Sequence, residues 1–125
     1  TDPLAHLALT TSDYELLARR LHGLAHEHAD GRWVAMGGGG YQIVSVVPRA
    51  WTIYFAELTG QEVPFELPLD YVRRAHDRTG QETPTTFLEG AARISEEREK
   101  LVRASAEEAV EALKRAAFDH LERLT

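Results

Sequence analysis

Four consecutive glycines, Gly37 to Gly40, separate the short apolar run Arg32-Trp33-Val34-Ala35-Met36 from a stretch of helical periodicity that opens near Val44. Glycine gives up more backbone entropy on ordering than any other residue, so such a quartet continues neither a strand nor a helix cheaply. It marks a loop where another group comes close to the backbone, or a sterically crowded turn. The apolar run before it is too short for a helix and reads as one buried strand near residues 32–36. A lone strand leaves its backbone donors and acceptors without a ladder. Helix, strand, glycine loop and helix form half of a parallel α/β layer arrangement, which points to a missing half on the N-terminal side. Ligand crevices in α/β folds sit at the carboxyl ends of strands, where this loop falls.

The rest of the chain is predominantly helical in pattern. Asp2-Pro3 signals a turn in an irregular entry segment. Tyr14, Leu17, Leu21, Leu24 and His28 recur at steps of three and four, predicting a helix over about 11–29, with Ser12 and Glu15 in capping-box spacing. A second helix is expected from about 45 to 59, with Pro48 in its first turn, an apolar stripe of Val47, Trp51, Tyr54, Phe55 and Leu58, and Gly60 as its stop. Pro64, Pro68 and Pro84 break up residues 61–90, leaving room for a short helix over 70–76. Residues 91–124 are rich in strong helix formers and read as helix throughout, with a possible division near Ala104 where Ser105 and Glu108 repeat the capping-box spacing.

Composition narrows the function classes. A net charge of −6 opposes non-specific nucleic-acid binding, which needs a basic surface to displace counterions. With 43% hydrophobic and 27% charged residues the chain has the balance of a folded domain. No apolar run approaches the roughly 18–20 residues that span a bilayer, and no charged leader followed by an apolar run opens the chain. Cysteine is absent, which removes disulfides and thiolate metal ligands and fits a cytoplasmic protein.

Nucleotide loops do not match. A phosphate loop carries Lys and Ser or Thr after its last glycine, and here Tyr41-Gln42 follow. The dinucleotide fingerprint wants spaced glycines and an acidic residue about 20 positions on. The segment Ala35-Met36-Gly37-Gly38-Gly39-Gly40-Tyr41, followed by Pro48-Arg49-Ala50-Trp51-Thr52 and preceded by Asp2-Pro3-Leu4 and Leu9-Thr10, instead resembles zinc-dependent deacetylases of the histone deacetylase and acetoin-utilisation family. The bacterial acetoin-utilisation branch is the nearer likeness. The likeness is convincing from Asp2 to about Gly60 and weak over Ala112 to Leu121.

That resemblance implies that residues 1–125 are the C-terminal part of a deacetylase domain. The implied fold is a parallel-sheet, three-layer arginase/deacetylase-like α/β fold, this chain itself being mostly α with one strand. The implied activity is hydrolysis of the amide of an acetylated lysine or related acetylated amine. By the same resemblance Tyr41 is the catalytic tyrosine, its phenol O–H donating with zinc to the oxygen where negative charge develops. A phenol suits that role because it ordinarily stays protonated at neutral pH. Gly38, Gly39 and Gly40 leave room for substrate, and Leu4 matches an apolar residue of the substrate channel. Arg49 and Trp51 brace the loop. The resemblance places the zinc ligands and the histidines that handle the attacking water in the upstream part of the same domain, so the chain holds no metal ligand of its own and is expected to be inactive alone.

Other features have plainer readings. His22 and His26, at i and i+4, have adequate spacing for two ligands on a helix, but a third ligand is not evident. Histidines in a last helical turn also complement the helix dipole. The charged run Glu96-Glu97-Arg98-Glu99-Lys100 reads as a solvated helix face. A second function class stays open on these residues: a non-catalytic helical interaction module that keeps the loop without the chemistry.

Overall fold

The computed structural model describes residues 4, 8–90 and 94–121, with side chains described up to 118. The turn expected at Asp2-Pro3 and the helix ends expected at 91–93 and 122–124 lie outside the described residues. Two compact units divide the chain, Thr1–Ala91 and Ala92–Thr125.

Unit 1 holds helices α1 (Thr11–His28), α2 (Val47–Thr59) and α3 (Leu69–Thr79). Thr10 caps α1: its hydroxyl accepts from the Asp13 N–H, and its own N–H donates to Asp13 Oδ2 at 2.7 Å. The cap thus falls two residues before the expected Ser12. Ser12 is engaged elsewhere, its hydroxyl donating to the Glu89 carbonyl at 2.6 Å. α2 begins after the Gln42 carbonyl accepts from the Val46 and Val47 N–H groups, and Pro48 sits where a helix needs no donor. Gly60 and Gly80, both left-handed with φ of 65° and 64°, end α2 and α3. Within the proline-broken residues 61–90 an isolated antiparallel bridge joins Glu66 to Thr86, and Tyr71 of α3 donates to the Val44 carbonyl at 2.8 Å.

Small residues let α1 and α2 approach closely. Ala18 and Ala25 of α1 meet a face of α2 that buries Ile53 and Ala56, and Val44, Leu67 and Phe87 complete the small core. The stripe expected to be buried on α1 is not the one that packs. Ala18 lies one residue step, about 100° round the helix, from Leu17, and Leu17, Leu21 and Leu24 stay exposed. In α2 the buried positions Arg49, Ile53 and Ala56 lie nearly opposite Trp51, Phe55 and Leu58 of the expected stripe, which are exposed, while its other members Val47 and Tyr54 are half-buried. Both helices are therefore apolar on two faces, and this unit covers one of each.

Among the described residues there is no β-strand. Residues 32–36 form neither helix nor ladder, because no neighbouring strand lies beside them in this chain. The fragment is mostly helical, and the larger three-layer sheet arrangement is neither built nor excluded by it.

Among its described residues unit 2 holds one helix, α4 (Glu96–Leu121), unbroken at Ala104. Ser95 starts it, its hydroxyl accepting from the Arg98 N–H at 3.2 Å. Ser105 and Glu108 lie in mid-helix, where continuous intrahelical bonding leaves a capping box no free donors. Among the described residues no helix is long and apolar enough to cross a membrane.

Candidate active site

Residues 33–42 run as irregular chain across the second face of α2 and the start of α1, and together they enclose a cavity of about 410 Å³. Its walls are aromatic. Trp33 stacks on His22 with ring centroids 5.9 Å apart and leans on Tyr54 at 5.8 Å. Tyr54 in turn meets Tyr14 at 6.5 Å and Trp51 at 6.4 Å. Burial first, and the neighbouring Tyr14 second, raise the Tyr54 pKa above its ordinary value, so this phenol stays a neutral hydrogen-bond donor.

The glycines divide into two kinds. A Cβ on Gly37 would lie 2.9 Å from Cζ2 of Trp51, so the indole and the loop backbone are in direct contact. Gly40 has φ of 123°, and a Cβ there would stand 3.0 Å from Cγ2 of Val47. These two positions need glycine for reasons inside this chain. Gly38 faces open space, and a Cβ on Gly39 would make ordinary contact, 3.5 Å, with the Tyr41 ring. Gly40→Ala is expected to cost about 1–3 kcal/mol from its strained backbone, measured by urea unfolding, whereas Gly38→Ala should fall within about 0.5 kcal/mol of the parent.

Tyr41 is half exposed, at 51%, and its ring lies over Gly39 at the cavity wall. Gly39, Gly40 and Tyr41 line the cavity together; Gly38 and Leu4 are not part of its lining. Leu4 is 65% exposed in a turn. Trp51 braces the loop through Gly37. Arg49 points the other way, into a buried network: Nε donates to the Phe87 carbonyl at 2.9 Å, Nη1 to the Ser45 carbonyl at 3.0 Å and to Glu89 Oε1 at 2.8 Å, and Nη2 to the Thr11 hydroxyl at 3.1 Å. Its clamp joins both helices to residues 87–89 rather than holding the glycines. Trp33, Tyr14 and Tyr54 were not among the sequence-derived site residues; their signal was the aromatic spacing on each side of the loop.

Tyrosine phenols are the only ionisable side chains in the cavity's described lining. Zinc, which the family resemblance implies, takes three or four nitrogen, oxygen or sulfur ligands from protein side chains. Among the described residues no group of three or more His, Asp or Glu side chains is placed to hold an ion. The described residues do not fit a zinc centre.

Comparison with known proteins points to one class. Residues 1–58 match the family model described as the histone deacetylase domain. Acetoin utilization protein AcuC of Bacillus subtilis (strain 168) is 38% identical over 90 residues, covering 72% of this chain and 23% of that protein. AcuC of Staphylococcus xylosus is 38% identical over 63 residues (50% of this chain, 16% of that protein), and AcuC of Staphylococcus aureus (strain Mu50) is 31% identical over 110 residues (80% and 28%). A family-level link to these deacetylase-family proteins is thereby supported, and the chain spans 28% or less of the length of each. No solved structure matches.

One expectation is corrected by the family match. The chain as a whole was read as the C-terminal part of a deacetylase domain, yet the domain match lies in its N-terminal half, at residues 1–58. It stops near the end of α2. The matches to the AcuC relatives run further, over 90 and 110 residues, and so extend beyond Gly60.

Proposed function

We propose that this chain is a non-catalytic helical interaction module whose apolar surface docks onto the metal-bearing portion of a deacetylase-family protein. The observation that carries this reading is the exposure of Val34, Met36 and Ile43, at 82%, 86% and 71%, on both sides of the glycine loop. Leu17, Leu21 and Leu24 of α1 and Phe55 and Leu58 of α2 enlarge the exposed apolar area. Apolar exposure of this extent supports an interaction site. The partner's identity follows from the family link together with the small share of each relative that this chain covers.

A second reading is favoured by a separate observation. Tyr41 lines a cavity together with Gly37, Gly39, Gly40 and the rings of Tyr14, Trp33, Trp51 and Tyr54. On this reading the docked module contributes the phenol O–H as a hydrogen-bond donor to the carbonyl oxygen of an acetylated lysine or similar amide, as negative charge grows there. Gly37 and Gly40 keep the loop close to α2, so that the donor is held in place before substrate arrives.

Docking is tested by titrating the chain into a polypeptide comprising the part of Bacillus subtilis AcuC that has no counterpart here. Calorimetry is expected to show a 1:1 complex, and the pair Val34→Asp with Met36→Asp should weaken it by tenfold or more, since a buried unpaired carboxylate costs well above about 1.4 kcal/mol. Absence of a complex, or one indifferent to both substitutions, refutes the docking surface.

A further inference from the structure

Outside the cavity, α1 carries a second arrangement of side chains. His22 and His26 stand one turn apart, with their rings tilted at 43° and their Nε2 atoms 3.1 Å from each other. The other nitrogen of His22, Nδ1, lies 2.9 Å from Oε1 of Glu57 on α2. With the Glu57 carboxylate accepting from Nδ1, Nε2 of His22 accepts the hydrogen bond that Nε2 of His26 donates, and a bound ion would replace the proton between them. Metal-binding imidazoles are oriented in this way by an outer carboxylate.

Both rings are braced. Trp33 stacks on His22. The chain turns back over His26 at Gly31, where φ is 75° and a Cβ would lie 3.0 Å from the imidazole Cε1. Two metal–nitrogen bonds of about 2.0–2.1 Å would span the 3.1 Å gap at an angle of about 98° at the ion. That lies between the square-planar and tetrahedral angles and suits the late first-row ions that prefer imidazole.

We infer that His22 and His26 chelate one divalent ion of the nickel or copper class, with Glu57 as the orienting group and water completing the coordination. Glu57 is engaged with the far nitrogen of His22, so it is not a third ligand, consistent with the lack of any three-ligand group among the described residues. The site is independent of the deacetylase reading, since none of the three side chains lines the cavity. A bound ion would clip the last two turns of α1 and, through Glu57, tie them to α2.

Ni²⁺ is titrated into the 125-residue chain by calorimetry, and Cu²⁺ by quenching of tryptophan fluorescence, for which Trp33 against His22 is the near reporter. Saturable 1:1 binding is expected at neutral pH. His26→Ala, at an exposed position that leaves the core intact, should abolish saturable binding. Glu57→Gln should weaken it about 10–100-fold, and His28→Ala should leave it unchanged. No saturable binding by the parent chain, or equal binding by His26→Ala, overturns the site. An unchanged affinity in Glu57→Gln overturns the orienting role, and a loss in His28→Ala as large as in His26→Ala shows that histidines in general, not this pair, hold the ion.

Discussion

Arg49→Ala is expected to destabilise unit 1 by about 3–4 kcal/mol, the lower part of the range for breaking a buried ion pair by removing one partner. Arg49 of α2 is 1% exposed and donates to four acceptors, drawn from α1, from Ser45 just before α2 and from the 87–89 segment. Its loss takes the charge-assisted donor from the Phe87 and Ser45 carbonyls, while the Thr11 hydroxyl keeps its hydrogen bonds to Glu89. Glu89 is less costly to abandon because its side chain is 42% exposed, which keeps the figure from the top of the range. Against the 5–15 kcal/mol that holds a typical domain together, a loss of this size is severe. Urea unfolding followed by circular dichroism measures it. Arg49→Lys should recover less than half of the loss, because a single ammonium cannot reproduce the planar fork; full recovery would show that charge alone matters.

Acid should act on the same network. Burial pushes the Glu89 carboxyl upward, but the Thr11 N–H, the Arg49 guanidinium and the Thr11 hydroxyl together outweigh it, and its pKa is lowered from 4.5. A carboxyl whose folded pKa is depressed contributes stability that is fully present above its unfolded value and is lost as pH falls through the folded one. Unit 1 is therefore expected to lose stability as pH drops below about 4.5, and Glu89→Gln should flatten that slope while lowering stability at pH 7.

If the second reading holds, with Tyr41 as the oxyanion donor, Tyr41→Phe lowers kcat by about 10²–10³ in a protein that joins this chain to a metal-bearing deacetylase portion, the usual penalty for losing one such donor, whereas a non-catalytic module leaves kcat unchanged. The substitution removes an oxygen and keeps the ring that lies over Gly39, so the loop and the helices should be unaltered by circular dichroism. KM should change little, because the phenol's proposed hydrogen bond strengthens only as charge develops. Equal kcat in the two proteins would remove Tyr41 from the chemistry. A large rise in KM with kcat unchanged would make Tyr41 a substrate-binding group instead.

The helices were the legible part of the sequence. Three- and four-residue spacing in α1 and α2, glycine at 60 and proline at 48 act within a few residues, and local rules reach that far. Which face of each helix packs was not legible. Hydrophobic periodicity picked Leu17, Leu21 and Leu24, whereas close approach of two helices selected Ala18 and Ala25. Periodicity reports every apolar face of a helix and cannot rank two of them. Length was the obstacle in α4: Ser105 and Glu108 have a cap's spacing, but a cap needs a chain break, and propensity carries the helix through.

At the candidate site the glycine loop and Tyr41 stood out by residue type. The Arg49 network did not, because Glu89 lies 40 positions from Arg49 and no local pattern links them. Glycine types alone also gave no hint that Gly37 and Gly40 are demanded by Trp51 and Val47 while Gly38 is not. That distinction depends on where α2 places its side chains.

Incubating the isolated 125-residue chain with an acetyl-lysine peptide and added zinc, and counting released acetate, tests most directly whether catalysis needs groups this chain does not hold. No turnover above the zinc-only background is the result predicted. Acetate release that saturates with peptide and is abolished by a chelator would place a complete catalytic centre within these residues and contradict the module described here.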